Sequence, residues 1–410
     1  MIRIGMLTSG GDCQSLNATM RGVAKSLYKS YGDEVEIIGF EDGYKGLIYA
    51  DYRIMKPSDF SGILTEGGTI LGTSRQPFKL MRVPDENGLD KVEAMKHTYR
   101  KLKLECLVVL GGNGSQKTAN LLREEGLNIV SLPKTIDNDL PLPEGTPTFG
   151  YYSAKEAGVR ISQTVYEDAR TSGNWFLVSA MGREAGHLAF GMGAACHYPM
   201  IIIPEMFNKV EVTFDRILNL VISAMLKRKI LGIGYGVAII SEGVFHFMTD
   251  EEIANSGVNF TYDDHGHPEL GNVSKAHIFN TLLQKRITEL GLSIKSRPVE
   301  IGYEVRCVDP GAFDLFYCSM LGYGVKQLFD EGVSGAMVTS DNKGDVKPLY
   351  LKDVEDENGK VKPRLVNMEG AKAKLVFRDC LQYITPADYE AAKKYVANPE
   401  DYDFKKILNW

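Results

Sequence analysis

No run in this 410-residue sequence approaches the length of a membrane span, so a helical integral membrane protein is not expected. Positive charge is not in excess either. The formal net charge is −6, which argues against general affinity for nucleic acid or an anionic membrane. The six cysteines, at 13, 106, 196, 307, 318 and 380, are scattered without a C-x-x-C pair. Reduced thiols are expected, and a thiolate metal site is not. Neither G-x-G-x-x-G nor Walker A occurs, so neither a dinucleotide fold nor a P-loop is indicated. There is no internal repeat of solenoid period. Met1-Ile2-Arg3-Ile4-Gly5 reads directly as a strand, so no signal peptide and a cytoplasmic setting are expected.

What is present is an ordinary globular composition, 44% apolar and 24% charged, with 42 glycines. The length allows two or three domains. Many glycines sit at strand ends, where backbone must approach a ligand. The most informative stretch is Leu132-Pro133-Lys134-Thr135-Ile136-Asp137-Asn138-Asp139-Leu140, which follows the β-branched run Asn128-Ile129-Val130-Ser131 and precedes Pro141-Leu142-Pro143. A buried strand ending here delivers two carboxylates, a lysine and a hydroxyl at its C-terminal edge, where open α/β sheets bind ligands. Metal binding or proton abstraction beside an anionic substrate fits that set. A polar turn, with Asp and Asn capping backbone, fits it too.

Residues 2–7, 34–40 and 106–110 read as strands, each ending in glycines and polar residues. Residues 16–28, 91–103 and 116–125 have helical spacing, the last with Ser115 as a plausible cap. Gly10-Gly11-Asp12 and Gly111-Gly112-Asn113-Gly114-Ser115 are strand-to-helix turns suited to cradling phosphate with backbone N–H groups. Arg75 closes a further glycine and hydroxyl loop. Beyond the proline-rich loop the alternation resumes, with helices at 153–169, 214–228 and 273–290 and strands at 175–180, 200–203, 235–240 and 299–303. Residues 341–362 read as an exposed hairpin or excursion, and 387–396 as a closing helix. Two runs of strand–helix alternation argue for an α/β fold of two Rossmann-like, doubly wound domains with mainly parallel sheets.

Taken in order, Gly10 to Asp12, Gly111 to Ser115, Pro133 to Asp139, Met181-Gly182-Arg183 and Ser241-Glu242-Gly243 resemble the 6-phosphofructokinases. The likeness runs from about residue 2 to about residue 340, and is nearest the bacterial branch holding ATP- and pyrophosphate-dependent members. It implies phosphorylation of fructose 6-phosphate at the 1-hydroxyl, a glycolytic reaction, with Mg2+. Asp137 would be the base, with Lys134 and Arg75 beside it. Gly11, Tyr44, Arg75, Gly112, Asn113, Gly114 and Ser115 would bind the donor. Thr135, Ile136, Met181, Gly182, Arg183 and Glu242 would hold the sugar. Arg297, Tyr303 and Arg306 would clamp the 6-phosphate. Asn113 and Asp139 would lie at the metal. Some arginines of the family reach a neighbouring subunit, which implies a homodimer or homotetramer.

Gly114 and Lys134 bear on the donor. Pyrophosphate-using relatives usually carry aspartate at the first position and lysine at the second. Gly114 leaves space for the α-phosphate of ATP, so ATP is expected, with pyrophosphate the alternative. Asn113 replaces a usual metal-binding aspartate. Asn174 replaces an arginine, Cys307-Val308-Asp309 replaces a glycine pair, and Ser15 replaces a glycine. Those departures leave a low-turnover sugar-phosphate- or nucleotide-binding paralogue or regulatory subunit as a further alternative. The resemblance implies a donor domain of residues 1–149 plus about 305–355, and a fructose 6-phosphate domain of about 150–304 plus 356–410.

Overall fold

The computed structural model describes residues 1–257, 273–341, 343–354, 361–401 and 403–405. Two compact α/β units emerge. One comprises Met1–Ala154 with Tyr303–Arg364, the other Lys155–Gly302 with Leu365–Trp410.

The first unit is built on β1 (Ile2–Ser9), α1 (Leu16–Tyr31), β2 (Val35–Phe40), α2 (Tyr44–Tyr49), β3 (Tyr52–Met55), α3 (Lys91–Lys101), β4 (Cys106–Gly111), α4 (Asn113–Glu124), β5 (Ile129–Thr135) and β6 (Phe149–Gly150). Every residue of β4 is buried, as expected of an apolar run between two parallel neighbours. Asp90 caps α3, accepting from the backbone N–H groups of Val92 and Glu93, and Arg100 and Lys101 occupy its last turn, both favourable to a helix. After α5 (Tyr151–Ser172), the second unit continues with β7 (Trp175–Ala180), α6 (His187–Ala195), β8 (Met200–Ile202), α7 (Phe214–Ile230), β9 (Gly236–Ser241), α8 (Asp250–Ala254), α9 (Lys275–Glu289) and β10 (Ser296–Ile301). The chain returns to the first unit with α10 (Ala312–Asp330), β11 (Ala336–Ser340) and β12 (Val346–Tyr350), and ends with α11 (Ala371–Asp379) and α12 (Tyr389–Ala392) in the second.

The first sheet runs β12-β11-β5-β4-β1-β2-β3, with β6 paired to β5. Only its outer pairs, β2–β3 and β11–β12, are antiparallel. The second runs β10-β7-β9-β8 and is parallel throughout. β12 carries Lys347 and Pro348 on a largely exposed edge, residues that discourage further strand pairing. The expected hairpin is present as β11–β12. Asn342 and residues 355–360 of that excursion lie outside the described residues.

Some expectations need correction. α4 starts at Asn113 with Gly112 as its N-cap, so Ser115 is inside the helix rather than its cap. The closing helix is the single turn α12, flanked by 3-10 turns. No expectation covered α10, the 19-residue helix packed along α1. Its sequence is apolar on several faces at once, which blurs the period that marks a half-exposed helix.

Candidate active site

Strand register assembles the first unit's site. Ser9 pairs with Gly111 and Gly111 with Pro133 across β1, β4 and β5. The loops after these strands therefore emerge side by side. From β1 the chain turns one way to β2, and β4 and β5 lie on the other side. That reversal of strand order is where open α/β sheets leave a crevice.

Beyond β5, Asp137 and Asp139 are buried, at 8% and 7% exposure. The Asp137 N–H donates to Thr135 Oγ1 at 3.0 Å. Asn138 between them is left-handed, at φ 56°, a conformation asparagine tolerates better than most residues. Ile136 is buried beneath the turn. Lys134 is buried, and its ammonium donates to the carbonyl of Gly11. Burial pushes its pKa below the ordinary lysine value. Arg306 adds to that shift, while Cys13, Asp12 and Asp137 oppose it.

Gly112 is the N-cap of α4, which opens at Asn113, and a helix N-terminus favours anions. Asn113 Nδ2 donates to Asp139 Oδ2 at 3.1 Å, and Asn113 Oδ1 is buried without a partner. Beside Gly114 nothing lies within 4 Å of the place a Cβ would take. Ser115 Oγ bonds Ser9 Oγ at 3.0 Å. Tyr44, 1% exposed, donates its phenol to the Ser115 carbonyl at 2.8 Å. It braces the loop from behind.

Arg75 borders a cavity of about 400 Å³ with Gly10, Gly11, Asp12, Thr73, Ser74, Tyr303, Arg306 and Cys307. Arg306 Nη1 donates to the Asp12 carbonyl at 3.0 Å, and its guanidinium lies 5.9 Å from the Tyr303 ring centre. Arg306 and Tyr303, assigned from sequence to a sugar phosphate, thus belong to the cavity of the first glycine loop. Cys307 Sγ donates to Asp12 Oδ2 at 3.3 Å, and burial, followed by that carboxylate, pushes the thiol up to about 11. The thiol is therefore a weak donor here rather than a nucleophile.

In the second unit, Ala180 pairs with Ser241 and with Ile301, so the ends of β7, β9 and β10 share an edge. Met181 N–H donates to the Ile301 carbonyl at 3.1 Å. Gly182 N–H donates to Glu242 Oε1 at 3.1 Å, and Lys275 lies 3.6 Å from Glu242 Oε2. Glu242 is thus tied to the Met181-Gly182-Arg183 turn instead of serving as a helix cap, since Ser241 takes that place. Arg183 is exposed at this edge. Arg297 is exposed at the opposite end of β10, paired with Phe176, and the structure does not bring it to Met181 or Glu242. Asn174 is buried just before β7.

Two contributors escaped the sequence reading. Thr148 Oγ1 donates to the Thr135 carbonyl at 2.7 Å, and Arg364 bonds the turn after Asp137. Neither sits in a motif. Among the described residues no group of three or more His, Cys, Asp or Glu side chains could hold a metal ion, and no helix is long and apolar enough to cross a membrane.

Comparison with known proteins bears on this arrangement. Residues 3–329 match the Phosphofructokinase family model. The chain is 35% identical to the pyrophosphate–fructose 6-phosphate 1-phosphotransferase of Thermotoga maritima, over 98% of this chain and 92% of that protein. It is 36% identical to the ATP-dependent 6-phosphofructokinase of Spirochaeta thermophila, over 90% of this chain and 95% of that protein. The crystal structure of the pyrophosphate-dependent phosphofructokinase of Marinobacter aquaeolei superposes with a TM-score of 0.67 at 16% identity, covering 97% of this chain and 92% of that one. That last likeness concerns the fold. With its two mainly parallel sheets and its glycine-lined strand ends, the chain belongs to the phosphofructokinase family.

Proposed function

We propose that the protein transfers the terminal phosphoryl group of ATP to the 1-hydroxyl of fructose 6-phosphate. The observation that supports the proposal is the register of β1, β4 and β5, from whose aligned ends the two glycine turns and the turn carrying Asp137 emerge side by side. In phosphoryl transfer, catalysis is mainly positioning and charge stabilisation. Backbone N–H groups of Gly11 and of Gly112 to Ser115 receive the donor phosphates. Arg75 and Lys134 balance the charge of the migrating group, and Asp137 accepts the hydroxyl proton. Thr135 orients that carboxylate through the Asp137 N–H. Met181, Gly182, Arg183 and Glu242 are assigned to the sugar. Arg297 is assigned to the substrate of a neighbouring copy, making the working particle a homodimer or homotetramer. The donor belongs to the first unit and the sugar ring to the second.

Asp139 and the orphaned Oδ1 of Asn113 fit a magnesium ion arriving with the donor, since a hard cation takes oxygen ligands and keeps phosphates in its shell. Bound there, the ion would neutralise phosphate charge. The open space at Gly114 supports ATP, because an aspartate there would place charge and bulk beside a nucleotide's phosphates. Pyrophosphate is the second reading, favoured by buried Lys134 and by the name of the Thermotoga maritima relative. A third, a paralogue with little turnover, draws on Asn113 and Cys307 in these turns.

The deciding experiment compares ATP and pyrophosphate with fructose 6-phosphate and magnesium present. ATP should give the higher kcat/KM. Gly114→Asp should then depress ATP use about tenfold or more beyond any effect on pyrophosphate use. Equal losses with both donors would remove the steric argument, and no fructose 1,6-bisphosphate with either would remove the proposal.

A further inference from the structure

We propose that Arg364 is a positioning residue for the proposed reaction, a clasp that holds the 137–146 turn in its working shape. The inference rests on Asp137 being the base. Arg364 lies beyond residues 3–329, the stretch matched by the family model. It nevertheless reaches back 226 positions to the turn. Its backbone N–H donates to the Asp139 carbonyl at 2.8 Å. Nε donates to the Asn138 carbonyl at 3.2 Å and Nη1 to the Thr146 carbonyl at 2.5 Å. Nη2 donates to Asn138 Oδ1, which also accepts the Thr148 N–H at 3.1 Å.

The turn has physical need of such a partner. It runs between β5 and β6 with Pro141, Pro143 and Pro147 in or beside it, and proline brings no N–H to a ladder. Its carbonyls at 138, 139 and 146 therefore find donors elsewhere, and one residue supplies all three. A guanidinium offers its donors in a fixed plane, so two carbonyls and a side-chain oxygen bonded to it keep fixed mutual positions. That plane anchors Asn138, the left-handed residue that separates Asp137 from Asp139 and so sets the direction of both carboxylates. Burial lowers the pKa of Arg364, and Asp139 is among the groups that favour its charge.

The test uses the full chain with Arg364→Met, and with Arg364→Lys, which keeps charge and stem but lacks the planar fork. In the absence of substrates, backbone amides at 137–146 should exchange faster in the Met variant and to an intermediate degree in the Lys variant. Meanwhile kcat should fall about 10²-fold for Met, as small misplacements of reacting groups do. KM for sugar and donor should stay within about twofold. Added methylguanidinium should restore part of kcat to the Met variant, an effect that repair of folding would not produce. Unchanged exchange at 137–146 in a folded variant would overturn the clasp, as would a loss of kcat that only tracks the folded fraction. If the Met variant does not fold, the same two readouts on the Lys variant decide. A wild-type protein inert with fructose 6-phosphate and both donors would sink the functional reading instead, with the exchange contrast still deciding the clasp.

Discussion

Single residues carry both what the sequence announces and what it conceals. Asp137, Asp139 and Lys134 stand out because an apolar run stops abruptly at charged side chains, a pattern the central strand of a parallel sheet imposes. Arg364 does not stand out, for its partners are more than two hundred positions away and nothing local marks it. Arg306 was legible as a phosphate-seeking arginine, but its place against Gly11 and Asp12 depends on how the chain returns to the first unit after β10. Tyr44, expected beside the donor, is buried and bonded to the Ser115 carbonyl, a placement that aromatic identity does not reveal. Another hidden residue is Glu205, whose Oε1 accepts from the N–H groups of Gly186 and Val366 while Oε2 has no partner. Burial raises its pKa, against the backbone N–H groups of Val366, Gly186 and Glu205 itself. A carboxyl raised in the fold stabilises while protonated, and that contribution is lost as pH rises through its folded pKa. Glu205→Gln, which cannot ionise, should therefore gain Tm relative to the parent as pH rises above the ordinary carboxylate range. A Tm difference that does not change with pH would contradict this.

Among elements, the α1–α10 pair is the most constrained. A Cβ on Gly322 would come within 2.2 Å of Gly22 backbone, and one on Gly22 within 2.7 Å of the Cys318 carbonyl. The helices touch main chain to main chain, so neither can yield by rotating a side chain. Gly322→Ala should cost at least the upper end of about 1–3 kcal/mol, read as a lower urea midpoint. Gly234→Ala, with nothing within 4 Å, is the control and should shift the midpoint little. Helices with one apolar stripe, such as α3, were legible from sequence, and buried central strands were too. The α10 helix was not, since a helix packed against another backbone through glycines shows no simple stripe. The closing helix was overread because a few apolar residues at helical spacing outlast the single turn that forms.

At the scale of the whole molecule, the division into two units separates the proposed tasks and makes them separately measurable. A non-transferable ATP analogue should slow amide exchange at residues 10–13 and 113–116, by about tenfold or more at saturation. Fructose 6-phosphate alone should extend protection to residues 181–184 and 242–243. An analogue that protected 181–184 and left 10–13 untouched would reverse the assignment. The alternation of strands and helices made the two-sheet architecture legible, whereas the return of residues 303–364 to the first unit has no local signal and was implied only by the family resemblance, with its donor domain of 1–149 plus about 305–355. The aligned ends of β1, β4 and β5 have one more consequence. If, as proposed, main-chain groups hold the donor phosphates, a single exchange at position 114, where open space surrounds the Cβ position, would alter which donor fits while leaving the strand ends beneath unchanged.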